Sequence, residues 1–176
     1  MSATIALAVI ALAAVYAIVV YNRLVGDRNR VKSAWSDVDV QLKRRSDLIP
    51  KLVDSVRQYA DYEQVTLEAV TELRARAAQS HDVADRSVRE QALGGGLRRV
   101  LALVESYPAL KADGVFLDLQ RAITEVEEHI QLARRYYNGA VRALNTRIES
   151  FPDLLVARSF MFKVAEYFEL DDDVPR

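Results

Sequence analysis

The stretch VDVQLKRRSDLIPKLVDSVRQY, residues 38–59, decides the fold. Its apolar residues recur at alternating steps of four and three on both sides of Pro50, and it sets Arg45 where that pattern asks for an apolar side chain. Followed outward, the register covers positions 31, 35, 38, 42, 45, 49, 52, 56, 59, 63, 66, 70, 73 and 77, eleven of them apolar or aromatic. This is the a/d spacing of a seam between helices. A loop would reset the phase, so the unbroken register predicts one helix, kinked where Pro50 withholds the amide that would bond the Ser46 carbonyl. The alternative is two helices, with Asp47 as N-cap and Pro50 in the tolerated first turn. Arg45, Glu63 and Thr66 interrupt the seam. A charge there needs partners, because a dry unpaired ion costs several kcal/mol. Asp39, Gln41 and Asp47 are near in sequence, and a second long helix offers further candidates; solvation of Arg45 at a bundle edge is the other reading.

That second helix follows KADGVF, with Asp113 as its expected N-cap. Phe116, Leu119, Ile123, Val126, Ile130, Ala133, Tyr137, Ala140 and Leu144 form its seam, which is expected to face the first. Residues 79–96, polar and ending in Gly94, Gly95 and Gly96, read as a linker with one or two helical turns, followed by a short helix over 97–107 that Pro108 stops. Gly139 either marks a close backbone approach or is simply tolerated. An amphipathic piece over 154–168 reads as a last helix, ahead of a charged tail. The predicted fold is all-α: a single N-terminal membrane helix over residues 1–22, an elongated antiparallel bundle of about four helices over 23–170, and an acidic tail over 171–176.

The N-terminal segment, Ala3 to Val20, holds 18 residues without a formal charge. At about 1.5 Å per residue it nearly spans a hydrocarbon core. A cleaved signal peptide is the rival reading, but no basic side chain precedes the apolar run. Arg23, Arg28, Arg30 and Lys32 follow it, so the positive-inside rule puts the N-terminus outside the cell membrane and the bundle in the cytoplasm. The chain either continues as a stalk or hinges at Gly26.

The balance of 24 basic and 25 acidic residues disfavours nucleic acid as a partner. Without cysteine there is no thiolate nucleophile and no thiolate-held metal. His81 and His129 are too few for a histidine-rich centre. Glu125, Glu127 and Glu128 cluster near His129, yet the di-iron pattern needs glutamate three residues before histidine, where Val126 stands; these acids read as a solvated face. The three glycines lack the Lys-Ser/Thr ending of a phosphate loop, and no nucleophile elbow is present. No catalytic, cofactor-binding or metal-binding residue is assigned, and the protein is expected not to be an enzyme. In RRYYNGAVRALN, residues 134–145, Asn138 and Asn145 lie one heptad apart and are suited to hydrogen bonds across helices.

The chain resembles the LemA family over nearly its whole length. The resemblance lies in YNRLVGDRNRVKSAWSDVDVQLKRRSDLIPKLVDSVRQYADYE, VESYPALKAD leading into FLDLQ, RRYYNGAVRALNTRIESFP, and the end around FMF and EYFE. Trp35, Asp39, Gln41, Arg44, Arg45, Asp47, Pro50, Tyr107, Pro108, Gln120, Tyr137, Asn138, Asn145, Phe151 and Pro152 carry the family pattern; Gly139 and the triple glycine depart from it. The resemblance implies a bacterial membrane protein with one N-terminal anchor, a cytoplasmic helical bundle and no established enzymatic activity. A relative that takes part in magnetosome membrane formation suggests work at membranes. The function expected is a non-catalytic scaffold that self-associates or recruits partners at the membrane, touching lipids and other copies of itself. The alternatives are a ligand- or metal-sensing bundle and an adaptor in envelope proteostasis.

Overall fold

A computed structural model describes residues 2–59, 63–80 and 82–169. The expected acidic tail over 171–176 and His81 lie outside them. Helices α1 (Ser2–Arg57), α2 (Gln64–Ala78), α3 (Val83–Leu103), α4 (Pro108–Lys111), α5 (Gly114–Glu149) and α6 (Asp153–Ser159) follow in order, with a 3-10 turn at Val104–Ser106 before α4. No strand occurs among the described residues. The chain forms two compact units. One joins the N-terminal part of α1, to Ser36, with residues 136–166; the other joins residues 37–135 with the segment from Tyr167.

Helix α1 passes through Gly26 and Pro50 unbroken. The carbonyl orphaned by Pro50 has found another donor: Arg74 Nε, on α2, donates to the Ser46 carbonyl at 2.8 Å and to Ser46 Oγ at 3.1 Å. Proline is thereby tolerated inside the helix, because the backbone group it leaves unpaired is satisfied from outside.

The single seam to residue 77 needs correction. α1 ends at Arg57 and α2 starts anew at Gln64. The break folds the α2 stripe of Leu67, Val70 and Ala77 into one core with Ile49, Leu52, Val53 and Val56 of α1. Two helices whose apolar stripes share a phase mimic one continuous seam, so periodicity alone could not see the turn.

The linker reading of 79–96 is also overturned. Helix α3 runs straight through the three glycines. Asp82 caps it, its Oδ1 accepting from the Asp85 amide at 2.6 Å, and Leu93, Leu97 and Val100 join the core. Gly96 has a packing reason, since a Cβ there would sit 2.9 Å from Leu73 Cδ1 and 3.5 Å from Val70 Cγ2; at Gly95 and Gly139 it would meet nothing within 4 Å. α2 and α3 approach closely at Gly96, while Gly139 is merely tolerated. Pro108 opens α4 instead of only stopping a helix. Asp113 caps α5 as expected, accepting from the Phe116 amide at 2.9 Å.

The last helix is shorter than its pattern. α6 ends at Ser159, and Met161 takes φ 53°. The Phe162 amide then donates to the Ala157 carbonyl and the Met161 amide to the Arg158 carbonyl, the paired bonds of a Schellman stop. In the first unit, rings now hold the chain beyond it. Phe160 and Phe162 pack on Tyr21 at centroid distances of 4.8 and 5.8 Å.

Candidate functional site

The seam of the second unit contains one buried charge layer. Arg45 projects from α1 and is only 2 % exposed. Its guanidinium donates to Glu90 Oε2 at 2.5 Å, to the Glu90 carbonyl at 3.1 Å and to Glu127 Oε1 at 2.8 Å. The other Glu90 oxygen accepts from Arg86 Nε at 2.9 Å, and Arg86 reaches Asp39 at 3.4 Å. Burial opposes the Arg45 charge, but Glu127 and Glu90 outweigh it and its pKa lies above the usual guanidinium value. Helix geometry builds the layer: Arg86 and Glu90 lie four residues apart on α3 and present adjacent side chains to α1.

Glu127 thus answers the expectation of a partner on the second long helix. It also corrects the solvated-face reading for that residue, while Glu125 and Glu128 remain exposed. Glu90 was hidden in the supposed linker. Its i,i+4 spacing from Arg86 within a segment capped by Asp82 was the signal that could have found it. The sequence neighbours of Arg45 serve otherwise: Asp39 binds Arg86, Gln41 is half-buried, and Asp47 borders a cleft of about 260 Å³ with Lys43 and Arg74.

The other motif residues fall into separate places. Arg44 lines a shallow groove with Glu125 and His129. Tyr107 donates weakly to Glu63 at 3.5 Å, and exposed Gln120 lends its backbone carbonyl to Thr124. Among the described residues no group of three or more histidine and carboxylate side chains is placed to hold a metal ion.

In the first unit, Trp35 and Tyr137 meet with ring centroids 5.3 Å apart. The Tyr137 hydroxyl donates to the Glu166 carbonyl at 2.8 Å; burial and the nearby Glu166 carboxylate push its pKa up to about 12. Asn145 binds the extended segment with both ends of its amide, donating to the Ala165 carbonyl at 2.9 Å and accepting from the Ala165 amide at 2.8 Å. This partner is backbone beyond α6, whereas a helix had been expected there. Asn138 is half-buried, and Phe151 and Pro152 are exposed. Arg147 donates to Asp27 at 2.7 Å and to Asp153 at 3.4 Å, interactions that raise its pKa. These groups neutralise charge and fasten backbone.

The LemA family profile matches residues 34–176, spanning the Arg45 layer and the Tyr137–Asn145 clamp. The chain belongs to the LemA family. It is 27 % identical over 159 residues to Protein LemA of Metamycoplasma hominis, covering 86 % of this chain and 73 % of that protein. It is also similar to two magnetosome proteins: MamQ 2 of Paramagnetospirillum magneticum, 33 % identical over 76 residues, and MamQ of Magnetospirillum gryphiswaldense, 28 % over 75. Each alignment covers 43 % of this chain and 28 % of the relative, so the match spans under a third of the magnetosome proteins' length. Among the described residues one helix, α1, is long and apolar enough to cross a membrane, and its apolar window is almost wholly unpacked. The family and this helix together indicate a membrane-associated helical protein.

Proposed function

We propose that this LemA family protein is a single-pass, membrane-anchored scaffold that has no catalytic role and works by associating with copies of itself or with other membrane proteins. One observation carries the reading: the apolar first turns of α1, among them Ile5, Leu7, Ile10 and Leu12, lie exposed and run without a break into the helix that carries the buried Arg45 layer. Lipid is the solvent that satisfies such a surface. The basic flank from Arg23 to Lys32 orients the bundle to the cytoplasm. The similarity to the MamQ magnetosome proteins supports a reading as work at a membrane. Light scattering of the full chain in a mild detergent tests the association. Assemblies larger than one chain are expected, and a strict monomer that also recovers no partner from cross-linked membranes refutes it.

A second reading, a ligand-sensing bundle, is favoured by the cleft beside the charge layer, lined by Lys43, Arg74 and Arg86 together with Asp39, Asp47 and Glu90, a mixed-charge lining suited to a small polar molecule. A small molecule retained in native mass spectrometry and released by Lys43→Ala would favour it over the scaffold.

A further inference from the structure

We propose that residues 151–164, α6 with the turns that flank it, form an apolar collar, made by Phe151, Leu155, Phe160, Met161 and Val164, that is immersed in the lipid leaflet around the base of the membrane segment. This deepens the membrane reading above and rests on it. The first argument is length. The hydrocarbon core asks for about 20 helical residues, roughly 30 Å at 1.5 Å each. In α1, however, the first unit already engages the helix at Tyr16, whose hydroxyl bonds Asp153, and Val20 and Leu24 are buried. The apolar run ahead of Tyr16, residues 3–15, supplies only about 20 Å. Roughly 10 Å of hydrocarbon thickness is left to be met by whatever surrounds α1 below Tyr16.

Beside the Asp153–Arg147–Asp27 pairs, the segment that flanks α1 there leaves large apolar side chains uncovered. Phe151 is 81 % exposed, Met161 83 % and Leu155 59 %. They sit on the segment fixed to the base of α1 by the Asp153 bond to Tyr16 and the packing of Phe160 and Phe162 on Tyr21. The second argument is conformational. Met161 occupies the left-handed position of the Schellman stop, which glycine fills without the steric cost an L side chain meets there. The long apolar side chain at that position is exposed, and an apolar phase would receive it.

Charge selects the occupant. Residues 16–32 and 142–166 together carry eight basic and four acidic side chains, and two of the acids, Asp27 and Asp153, are already bound to Arg147. Arg28 lies over the Phe162 ring, 5.4 Å from its centroid. Exposed apolar side chains interleaved with basic ones, Arg158 and Lys163 among them, match the acyl and headgroup layers of an anionic leaflet, with the long basic side chains reaching the headgroups, and the shared positive charge would repel a second copy.

The chain contains no cysteine, so single-cysteine variants can carry nitroxide labels without background. Phe151→Cys, Leu155→Cys and Met161→Cys, with Leu12→Cys and Val40→Cys as references, are reconstituted as full chains into vesicles of phosphatidylcholine and phosphatidylglycerol. Accessibility to oxygen is then compared with accessibility to a polar nickel chelate. The three collar labels are expected to resemble Leu12, with an oxygen-to-nickel ratio several-fold above that of Val40. Collar labels matching Val40 while Leu12 stays in lipid overturn the collar and leave the anchor standing; Leu12 itself in water overturns the anchor. Labels shielded from both reagents, with spin–spin broadening that disappears on dilution with unlabelled chain, overturn lipid as the occupant and assign the face to a second copy.

Discussion

Replacing Glu90 by glutamine tests the physical account of the buried layer. The Glu90 side chain is 3 % exposed and answers two guanidinium groups, Arg45 at 2.5 Å and Arg86 at 2.9 Å, whereas Glu127 is 34 % exposed. Removing one partner of a buried pair strands the other charge and costs about 3–5 kcal/mol; a partly solvated partner costs nearer ~1 kcal/mol. Here Arg45 keeps Glu127, which puts Glu90→Gln at the lower end, about 3 kcal/mol. For a chain of this size that lowers the melting midpoint by roughly 6–12 °C. Arg45→Met is expected to match it, because Glu90 is then left with Arg86 alone. Arg45→Met combined with Glu90→Met removes both buried charges and is expected to melt above either single variant. Thermal unfolding of the full chain in detergent, followed by far-ultraviolet circular dichroism, reads the wild type, these variants and Glu127→Gln. The reasoning fails if Glu90→Gln melts with the wild type, if Glu127→Gln costs more than Glu90→Gln, or if the double variant shows the sum of the single losses.

Arg74→Met should cost about 1–3 kcal/mol by orphaning the Ser46 carbonyl, and almost nothing in a Pro50→Ala background that restores the helical donor; equal losses in both backgrounds refute the compensation. Gly95→Ala should stabilise α3 by about 1 kcal/mol, while Gly96→Ala gains nothing because its Cβ meets Leu73; chemical unfolding separates the two. Asn145→Leu leaves both backbone groups of Ala165 unpaired, so tryptic cleavage at Lys163 should accelerate without loss of helix. The Tyr137 phenol favours its neutral form more in the folded than in the unfolded chain. Its contribution, roughly 2–3 kcal/mol, is therefore complete below pH 10 and lost as the pH rises towards about 12; Tyr137→Phe should flatten that part of the stability profile.

Long periodic segments were legible because burial repeats with the helix. Every α1 seam position from Val31 to Val56 is at least half-buried, Arg45 included, and the α5 seam from Phe116 to Leu144 behaves likewise. α3 was illegible for a definite reason. It buries Glu90, Ser87 and Gly96 on its inner face, so its core side reads as polar and glycine-rich, the composition of a loop. The segment over 160–169 misled in the opposite sense, because its aromatic residues keep an amphipathic spacing while Tyr137 and Asn145 take over the bonds a helix would have made. The site residues were legible as anomalies before their partners were. An arginine on a seam says that acids must come to it, but not which helix brings them.

Apolar seams do not by themselves fix how two helices slide, since Val38, Leu42, Ile49, Leu52 and Val56 present nearly equivalent surfaces one heptad after another. Arg45 breaks that degeneracy. A slip of seven residues along the seam would place its guanidinium where Leu52 or Val38 now lies, fully buried, and leave Glu90 facing aliphatic side chains. The lost pairing would cost several kcal/mol, while hydrophobic burial would scarcely change. The Asp27–Arg147 bond and the Trp35–Tyr137 contact mark register in the same way within the first unit. The scaffold proposed above asks for an outer surface held in one arrangement, and buried charges that fix register between helices supply that constraint.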